Sequence, residues 1–395
     1  MYKRPFFFLL TLMVSFATQA QSLSGAALKQ KLNANLQLAV EQYKLLHQNI
    51  PADRMPQNFD IKTGKMVTSN TKWWCAGFFP GTLWYLYEHS RDAAILNIAE
   101  QRLLQMEPQK HFTGNHDLGF MMYCSFGNAY RITGNPSYRK TIDTAAMSLA
   151  TRFRPKIQSI QSWDSSKNFR CAVIVDNMMN LELLTWVSNN GGDPRFRDIA
   201  VTHANSTIER HFRPDNAAFH VLDYSLASGE LLRKTTWQGY SDSSAWARGQ
   251  AWAMYGYTTM YRLTKDKKYL DQANKIADFV LNHNFFPADG VPYWDFDAPK
   301  LPNELRDASA GSIMASAFLE LTDYTKGARK KKYMSTAETI LTTLSSDEYL
   351  AKAGTNGGFL LKHSVGALPL KSEVDVALTY ADYYFVEAML RYLKK

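Results

Sequence analysis

The sequence contains few cysteines, and they lie far apart. Cys75, Cys124 and Cys171 are the only three in 395 residues, an odd number without a Cys-x-x-Cys spacing. This pattern excludes a framework of several disulfides and argues against a zinc site. We therefore expect the three thiols to behave as small buried apolar side chains.

Long apolar runs are also missing beyond residue 20, where nothing approaches the roughly 18 residues that span a membrane. In the first twenty residues, Lys3 and Arg4 precede an apolar run at 6–16, and Ala20 closes the segment. This arrangement is typical of a secretory signal. We expect residues 1–20 to be removed, the alternative being an uncleaved anchor. The mature protein is then expected to be periplasmic or secreted, without attachment to a membrane.

No linker rich in Pro, Gly or Ser divides the rest of the chain, which predicts a single domain over residues 21–395. Lys and Arg number 45 against 36 Asp and Glu, so the formal net charge is +9. The sequence has neither a basic stripe nor a nucleic-acid motif, so an anionic oligosaccharide fits better than nucleic acid as a partner. The alternative is that the charge only keeps the protein soluble.

The dominant hydrophobic period is helical, with apolar residues three and four apart. Twelve segments show it: 28–48, 77–90, 92–106, 117–133, 136–153, 172–187, 193–211, 246–264, 267–284, 308–324, 329–345 and 376–393. Segments rich in aromatic residues, Met and Gly alternate with plainly amphipathic ones. This alternation predicts an inner and an outer ring of helices, an all-α (α/α)6 toroid. Strand-like pieces such as 219–223 are expected only in loops.

Two carboxylates interrupt the apolar inner segments. Asp117 begins one of them, and Asp176 lies inside the apolar run 174–180. Either could simply cap a helix N-terminus. If Asp176 is buried, desolvation raises its pKa and allows it to donate a proton, while Asp117 could stay ionised. Because both occupy the start of an inner helix, the pair favours acid/base catalysis.

Other polar and aromatic residues accompany these carboxylates. Arg248 could hold a carboxylate with its fork of N–H donors, or it could form an interhelix ion pair. Trp246 and Trp252 are six residues apart, so one could stack on a sugar while the other packs in the core. His220 lies on a short strand-like piece, where a lone histidine is more often structural.

Together these residues carry a resemblance to glycoside hydrolase family 88, the unsaturated glucuronyl hydrolases. The motifs, in chain order, are WxxGFxPG (74–81), HDLGF (116–120), IVDNMMN (174–180), FHVLDY (219–224), WQGY (237–240) and WARGQAW (246–252). The resemblance implies an (α/α)6 barrel that needs no metal or organic cofactor. It also implies an exo-acting enzyme on oligosaccharides, left by polysaccharide lyases, that end in a 4,5-unsaturated uronic acid.

In this family an Asp protonates C4 of the double bond and activates the water that adds at C5, after which the hemiketal opens. The resemblance assigns this role to Asp176 and an assisting role to Asp117. It places the following residues around the uronate: Trp74, His116, Trp163, His220, Gln238, Arg248 and Trp252. Ser364 and Lys371 lie in a stretch that resembles the family's loop near the leaving sugar. They could contact a sulfate there, or the loop could simply be solvated.

Lyase-generated glycosaminoglycan disaccharides are the substrates that the motifs favour. A rival within the same fold and chemistry is an unsaturated rhamnogalacturonyl hydrolase acting on pectin fragments. A rival of another class is a non-catalytic helical protein that binds acidic sugars. Carboxylates inside apolar segments argue against the second rival.

Overall fold

The structure, a computed structural model, describes residues 23–395, so the predicted signal at 1–20 lies outside the described residues. Twelve α-helices account for most of this part of the chain, which is mainly helical. They are α1 Gly25–Gln48, α2 Phe78–Ser90, α3 Ala93–Met106, α4 Asn128–Thr133, α5 Pro136–Ala150, α6 Leu181–Asn189, α7 Arg195–His211, α8 Ala247–Thr264, α9 Lys267–Asn282, α10 Ala308–Leu321, α11 Gly327–Leu344 and α12 Thr379–Leu393. A π-helix, Gly119–Gly127, runs directly into α4.

Six helical units pack in a closed order. α2 contacts the π-helix, which contacts α6, followed by α8, α10 and α12, and α12 returns to α2. The intervening helices pack outside this ring: α3 on α2, α5 on the π-helix, α7 on α6, α9 on α8, α11 on α10, and α1 on both α2 and α12. The helices of the inner ring correspond to the segments of the sequence that are rich in aromatic and small residues. Every residue of α10 is buried, and its Ala, Ser and Gly side chains allow close helix contacts.

Polar residues in the turns begin several outer helices, as the sequence indicates. Asn135 accepts a hydrogen bond from the backbone N–H of Ser137, and Pro136 occupies the first turn of α5. Asp266 caps α9 in the same way, through the N–H of Lys268. These caps satisfy N–H groups that the helix itself leaves unpaired, and they set the short connections from inner to outer helices.

The longer connections, from outer to inner helices, carry antiparallel strands. They are β1 Met55–Asp60, β2 Lys65–Ser69, β3 Phe153–Arg154, β4 Ser159–Ile160, β5 Ala172–Ile174, β6 Val221–Tyr224, β7 Leu231–Thr235, β8 Ser364–Ala367 and β9 Ser372–Leu378. One sheet has the order β2-β1-β9-β8, another β5-β6-β7, and β3 pairs with β4. The sheets therefore tie together loops that are distant in sequence, at the end of the molecule where the inner helices begin.

Two predicted helix boundaries are wrong. The segment 172–187 was expected to be one helix, but β5 occupies its start, a 3₁₀ turn covers Val175–Met179, and α6 begins at Leu181. The segment 376–393 begins with the end of β9, so α12 starts only at Thr379. In both places a short apolar run reads equally well as strand or helix, and pairing with a neighbouring strand decides the outcome.

The cysteines form no disulfide: Cys75 and Cys171 are buried and Cys124 is half-buried. This confirms the expected use of the thiols as small packed side chains. Over residues 23–395, no helix has the length and apolar character needed to cross a membrane.

Candidate active site

A cavity of about 300 Å³ opens where the inner helices begin. It collects seven of the predicted site residues: Trp74, His116, Asp117, Trp163, Asp176, Gln238 and Arg248. Other side chains that line it were not predicted from the sequence, notably Trp73, Phe120, Trp237, Leu370, Ser372 and Glu373. Three larger cavities, of about 450, 470 and 590 Å³, lie elsewhere in the described chain, but none of them contains either catalytic candidate.

Backbone contacts between loops hold the two aspartates at this cavity. The N–H of Asp117 donates to Asn115 Oδ1 at 2.9 Å, and the preceding N–H donates to the Ser162 carbonyl at 2.8 Å. The N–H of Val175 donates to the His220 carbonyl at 3.0 Å, which brings Asp176 beside that histidine. Neither aspartate side chain caps a helix, so the capping alternative is not realised for either residue.

Burial controls the acidity of both carboxyl groups. Desolvation raises the pKa of Asp176 to about 7, although the positive charge of Arg248 opposes the rise. Desolvation also raises the pKa of Asp117 to about 7, against the opposing effects of Arg152 and Asn180. The pKa of Asp117 is thus no lower than that of Asp176, so burial does not assign the proton to one of the two, and an ionised Asp117 beside a protonated Asp176 stays a prediction. Both groups can carry a proton near neutral pH.

The tautomer of His220 follows from its neighbours. Its Nδ1 accepts hydrogen bonds from the backbone N–H groups of Trp237 at 3.1 Å and Gln238 at 3.2 Å. Nδ1 therefore has no proton, and the neutral ring carries its proton on Nε2. Nε2 lies 3.7 Å from Asp176 Oδ2, an atom that has no other partner. Burial lowers the pKa of His220 to about 3, so the ring offers Asp176 an N–H dipole and no charge.

His116 stands beside the second carboxylate. Its Nε2 lies 3.4 Å from Asp117 Oδ1, and burial lowers its pKa to about 3. Each aspartate thus has a neutral imidazole as its neighbour, which adds polarity without fixing the carboxylate in its charged form.

Arg248 is fully buried, and both of its terminal nitrogens already donate hydrogen bonds within the protein. Its Nη1 contacts Asp307 at 3.2 Å and the Val365 carbonyl, while its Nη2 donates to the Gly366 carbonyl and, at 2.9 Å, to Gln238 Oε1. The interhelix ion pair considered from the sequence is thus present. The same bonds orient Gln238, since its oxygen faces Arg248 and its NH₂ group remains available as a donor.

Aromatic side chains form much of the wall and the rim. Trp74 is half-buried against Phe120 and Tyr380, and Trp163 packs edge-on against Phe169. Trp73 and Trp237, which directly flank predicted residues, are 41% and 37% exposed. Their positions next to Trp74 and Gln238 are the signal that could have identified them.

The structure does not bring Trp252 to the cavity. Trp252 is fully buried, with its ring centroid 5.0 Å from that of Phe120, which does line the cavity. The fully helical α8 explains this position, because residue 252 projects into the ring centre while Arg248, one turn earlier, reaches the cavity. Trp252 supports the wall from behind.

The C-terminal loop meets the prediction only partly. Ser364 is buried on β8 and does not line the cavity. Lys371 is exposed, between the lining residues Leu370 and Ser372. Sequence analysis missed Glu373, whose carboxylate accepts hydrogen bonds from Gln57 and Asn58 and whose pKa is raised by burial. Glu373 lies near the start of β9, where no periodicity distinguishes an acidic residue that reaches a cavity.

Comparisons with known proteins point in one direction. The sequence profile of Glycosyl Hydrolase Family 88 matches residues 50–388. An unsaturated glucuronyl hydrolase from Formosa agariphila is 43% identical over 350 residues, covering 88% of this chain and 87% of the relative. An unsaturated chondroitin disaccharide hydrolase from Streptococcus pneumoniae is 32% identical and covers 83% of both chains.

Solved structures agree with the sequence relatives. An unsaturated glucuronyl hydrolase described as specific for heparin superposes with a TM-score of 0.89 at 45% identity, covering 93% of this chain and 98% of that one. The chain belongs to glycosyl hydrolase family 88, the family that its motifs resemble, and it is a glycoside hydrolase.

Proposed function

We propose that this enzyme releases the 4,5-unsaturated uronic acid from the non-reducing end of lyase-generated glycosaminoglycan oligosaccharides. The observation that carries the proposal is the buried Asp176 carboxyl, whose pKa is about 7 and whose Oδ2 has no hydrogen-bond partner, with His220 Nε2 3.7 Å away. A carboxyl that is protonated near neutrality is the acid that protonation of an alkene carbon needs. The names of the relatives from Formosa and Streptococcus supply the substrate class.

The reaction that we propose is hydration. Asp176 transfers its proton to C4, forming a C–H bond as the C4=C5 double bond is lost. Water then adds its oxygen at C5 and returns a proton to the Asp176 carboxylate. The hemiketal opens by cleavage of the bond from C5 to the ring oxygen, which leaves a ketone at C5 and a hemiacetal at C1. The hemiacetal then collapses to an aldehyde: its hydroxyl loses a proton, the bond from C1 to the oxygen of the neighbouring sugar breaks, and that oxygen takes up a proton. Asp117, close enough to influence the Asp176 pKa, assists by sharing protons and binding the sugar.

Substrate binding would use the rest of the cavity. Gln238, whose NH₂ group remains a donor, and Arg248 both line the cavity, and they would hold the uronate carboxylate there. Trp74 and Trp163 offer apolar faces to the sugar ring. The exposed Trp73 and Trp237 at the rim are suited to the leaving sugar, and Lys371 remains our candidate for a sulfate contact.

The barrel architecture, the single domain and the export of the protein are also part of this proposal. We infer that the two helical rings form an (α/α)6 barrel, which the closed order of contacts from α2 through α12 supports. We further propose that residues 21–395 form one catalytic domain exported by the signal at 1–20, to the periplasm or the exterior. Lys3, Arg4 and the apolar run at 6–16 support the export proposal.

One assay tests the proposed activity. The protein is incubated with lyase digests of chondroitin, hyaluronan, heparin and rhamnogalacturonan, and the ultraviolet absorbance of the conjugated double bond is followed. We expect absorbance to fall with at least one glycosaminoglycan digest. A fall in absorbance only with the rhamnogalacturonan digest would show that the enzyme acts on pectin fragments instead. No fall with any digest would contradict the proposal.

A further inference from the structure

The excess positive charge of the chain is not located at the active site. The cavity is lined by three acidic residues, Asp117, Asp176 and Glu373, and by one basic residue, Arg248. Arg248 is itself paired with Asp307. The net charge of +9 includes Lys3 and Arg4 of the predicted signal, and the remaining excess of positive charge needs another location and another explanation.

A cluster of lysines lies at the opposite end of the helices. Lys265 follows the last residue of α8, whose first turn holds Arg248, and the 18 residues of α8 span about 27 Å. Exposed lysines surround this point at the starts of α9 and α11. We call the five of them the distal basic surface: Lys265, Lys267, Lys326, Lys330 and Lys331.

Contacts between the turns make this surface continuous. Lys265 Nζ lies 5.8 Å from the ring centroids of both Tyr261 and Tyr324, which joins the α8–α9 turn to the α10–α11 turn. Two residues after Tyr324 is Lys326, at the start of α11. The C-terminal Lys395 reaches the same place through an ion pair with Asp323.

Among the five lysines, Lys265 has a local electrostatic contact with the rings of Tyr261 and Tyr324, but no carboxylate neutralises it. Within residues 23–395, none of them forms an ion pair. Lys326 also occupies the N-cap position of α11, whose first turn contains no acidic residue. Cations at a helix N-terminus oppose the helix dipole, typically by about 0.3–1 kcal/mol each. Local stability therefore does not account for this concentration of lysines.

We propose that the distal basic surface binds an intact anionic polysaccharide chain, separately from the catalytic cavity. Several unpaired ammonium groups on one exposed surface suit a polymer with repeated sulfate or carboxylate groups. The large exposed apolar side chains of the described chain lie elsewhere, so this surface lacks the anchors of a membrane-binding face. The choice of a glycosaminoglycan rests on the proposed function, because the enzyme would then be held on the polymer from which its substrates are cut.

The test uses intact heparin that has not been treated with a lyase. Such chains lack the 4,5-unsaturated end, so the catalytic cavity does not contribute to their binding. The triple variant Lys265→Gln, Lys326→Gln, Lys330→Gln is compared with Lys65→Gln, Lys167→Gln, Lys352→Gln. The control removes the same charge from exposed lysines in the connections at the opposite end of the helices, where Lys65 begins β2. The Kd for heparin is measured at several salt concentrations.

We expect the distal variant to bind heparin roughly tenfold more weakly at physiological salt and with a smaller salt dependence, because fewer counterions are released. The control should bind like the wild type, and both variants should hydrolyse unsaturated disaccharides at the wild-type rate. Equal weakening of both variants, or none in either, would overturn the proposal, since binding would then follow net charge or another surface.

Two further probes separate other polyanions. The binding of the same proteins is measured to vesicles that contain anionic lipid and, separately, to duplex DNA. If either binds the wild type more tightly than heparin and loses binding in the distal variant, the polysaccharide assignment is wrong. Failure of the disaccharide assay with retained heparin binding would instead count against the proposed activity alone.

Discussion

At the scale of single residues, the environment of each aspartate matters more than its position in sequence. Asp176 and Asp117 both have a neutral histidine as neighbour and both gain a higher pKa from burial. The polar interruptions at 115–117 and 176–180 made these residues predictable. The shared rise in pKa was not predictable, because desolvation depends on loops that fold over both groups from elsewhere in the chain.

The pH profile is the first consequence at this scale. Because the reaction uses the protonated form of Asp176, whose pKa is about 7, kcat/KM should fall as the pH rises through that value. Well above it, the fall should approach about tenfold per pH unit. The measurement is kcat/KM for an unsaturated disaccharide between pH 5 and pH 9. A rate that keeps rising above pH 8 would show that the protonated carboxyl is not required.

The control for the pH profile is Asp117→Asn. The negative charge of ionised Asp117 contributes to the raised pKa of Asp176, so its removal should move the alkaline fall to lower pH. A shift to higher pH would contradict the electrostatic coupling between the two groups.

At the scale of elements, two loop motifs interlock and fix the geometry of the site. The N–H of Phe120 donates to Asn180 Oδ1 at 2.9 Å, which joins the start of the π-helix to the end of the 3₁₀ turn that carries Asp176. Between them lies Gly119, where an added Cβ would sit 2.4 Å from Asn180 Cα. The glycine therefore allows the close approach of the two aspartate-bearing segments.

Gly119→Ala tests this close approach. The extra methyl group must push the motifs apart, which we expect to cost about 1–3 kcal/mol of stability and to lower kcat by up to roughly a hundredfold. The matched control is Gly311→Ala in α10, where the added Cβ would meet its neighbours at an ordinary 3.6 Å. Kinetics and denaturant unfolding of both variants provide the comparison. Equal losses of stability and of kcat in the two variants would show that the close approach at Gly119 is not required.

The sequence predicted the helical elements better than the loops between them. Helical periodicity located all twelve segments, because each must bury one face. It misread Ala172–Ile174, where strand pairing with β6 replaces the expected helix. It could not indicate that Glu373 reaches the cavity or that Trp252 does not. Those positions depend on contacts between distant loops and on the packing of Phe120, which single-sequence patterns do not encode.

At the scale of the whole molecule, the far end of the inner ring is held by a buried charge network. Glu320 on α10 pairs with Arg262 on α8 at 2.6 Å and with Arg391 on α12. Burial alone would raise the pKa of Glu320, but the two arginines outweigh it and lower the pKa to about 2. Three helices of the ring are thus joined through one carboxylate.

Glu320→Gln should destabilise the fold by about 1–2 kcal/mol at neutral pH, because Arg262 and Arg391 each lose one of two carboxylate partners and keep the other, Glu182 or Glu387. The pKa of Glu320 lies below its ordinary value of 4.5, so its contribution is complete above pH 4.5 and is lost as the pH falls towards 2. The stability difference between variant and wild type, measured by denaturant unfolding, should therefore shrink across that range. A difference that does not depend on pH would contradict the ionised network.

The most direct test of the account compares Asp176→Asn with Asp382→Asn. Asp382 is also buried with a pKa of about 7, but it accepts hydrogen bonds from the N–H groups of Leu360 and Leu361, away from the cavity. The measurement is the turnover of an unsaturated glycosaminoglycan disaccharide, together with its Kd by calorimetry. We predict that Asp176→Asn lowers kcat by at least about a thousandfold while the Kd stays within the same order of magnitude, and that folded Asp382→Asn keeps its turnover. A nearly normal kcat in Asp176→Asn would contradict the assignment of Asp176 as the proton donor.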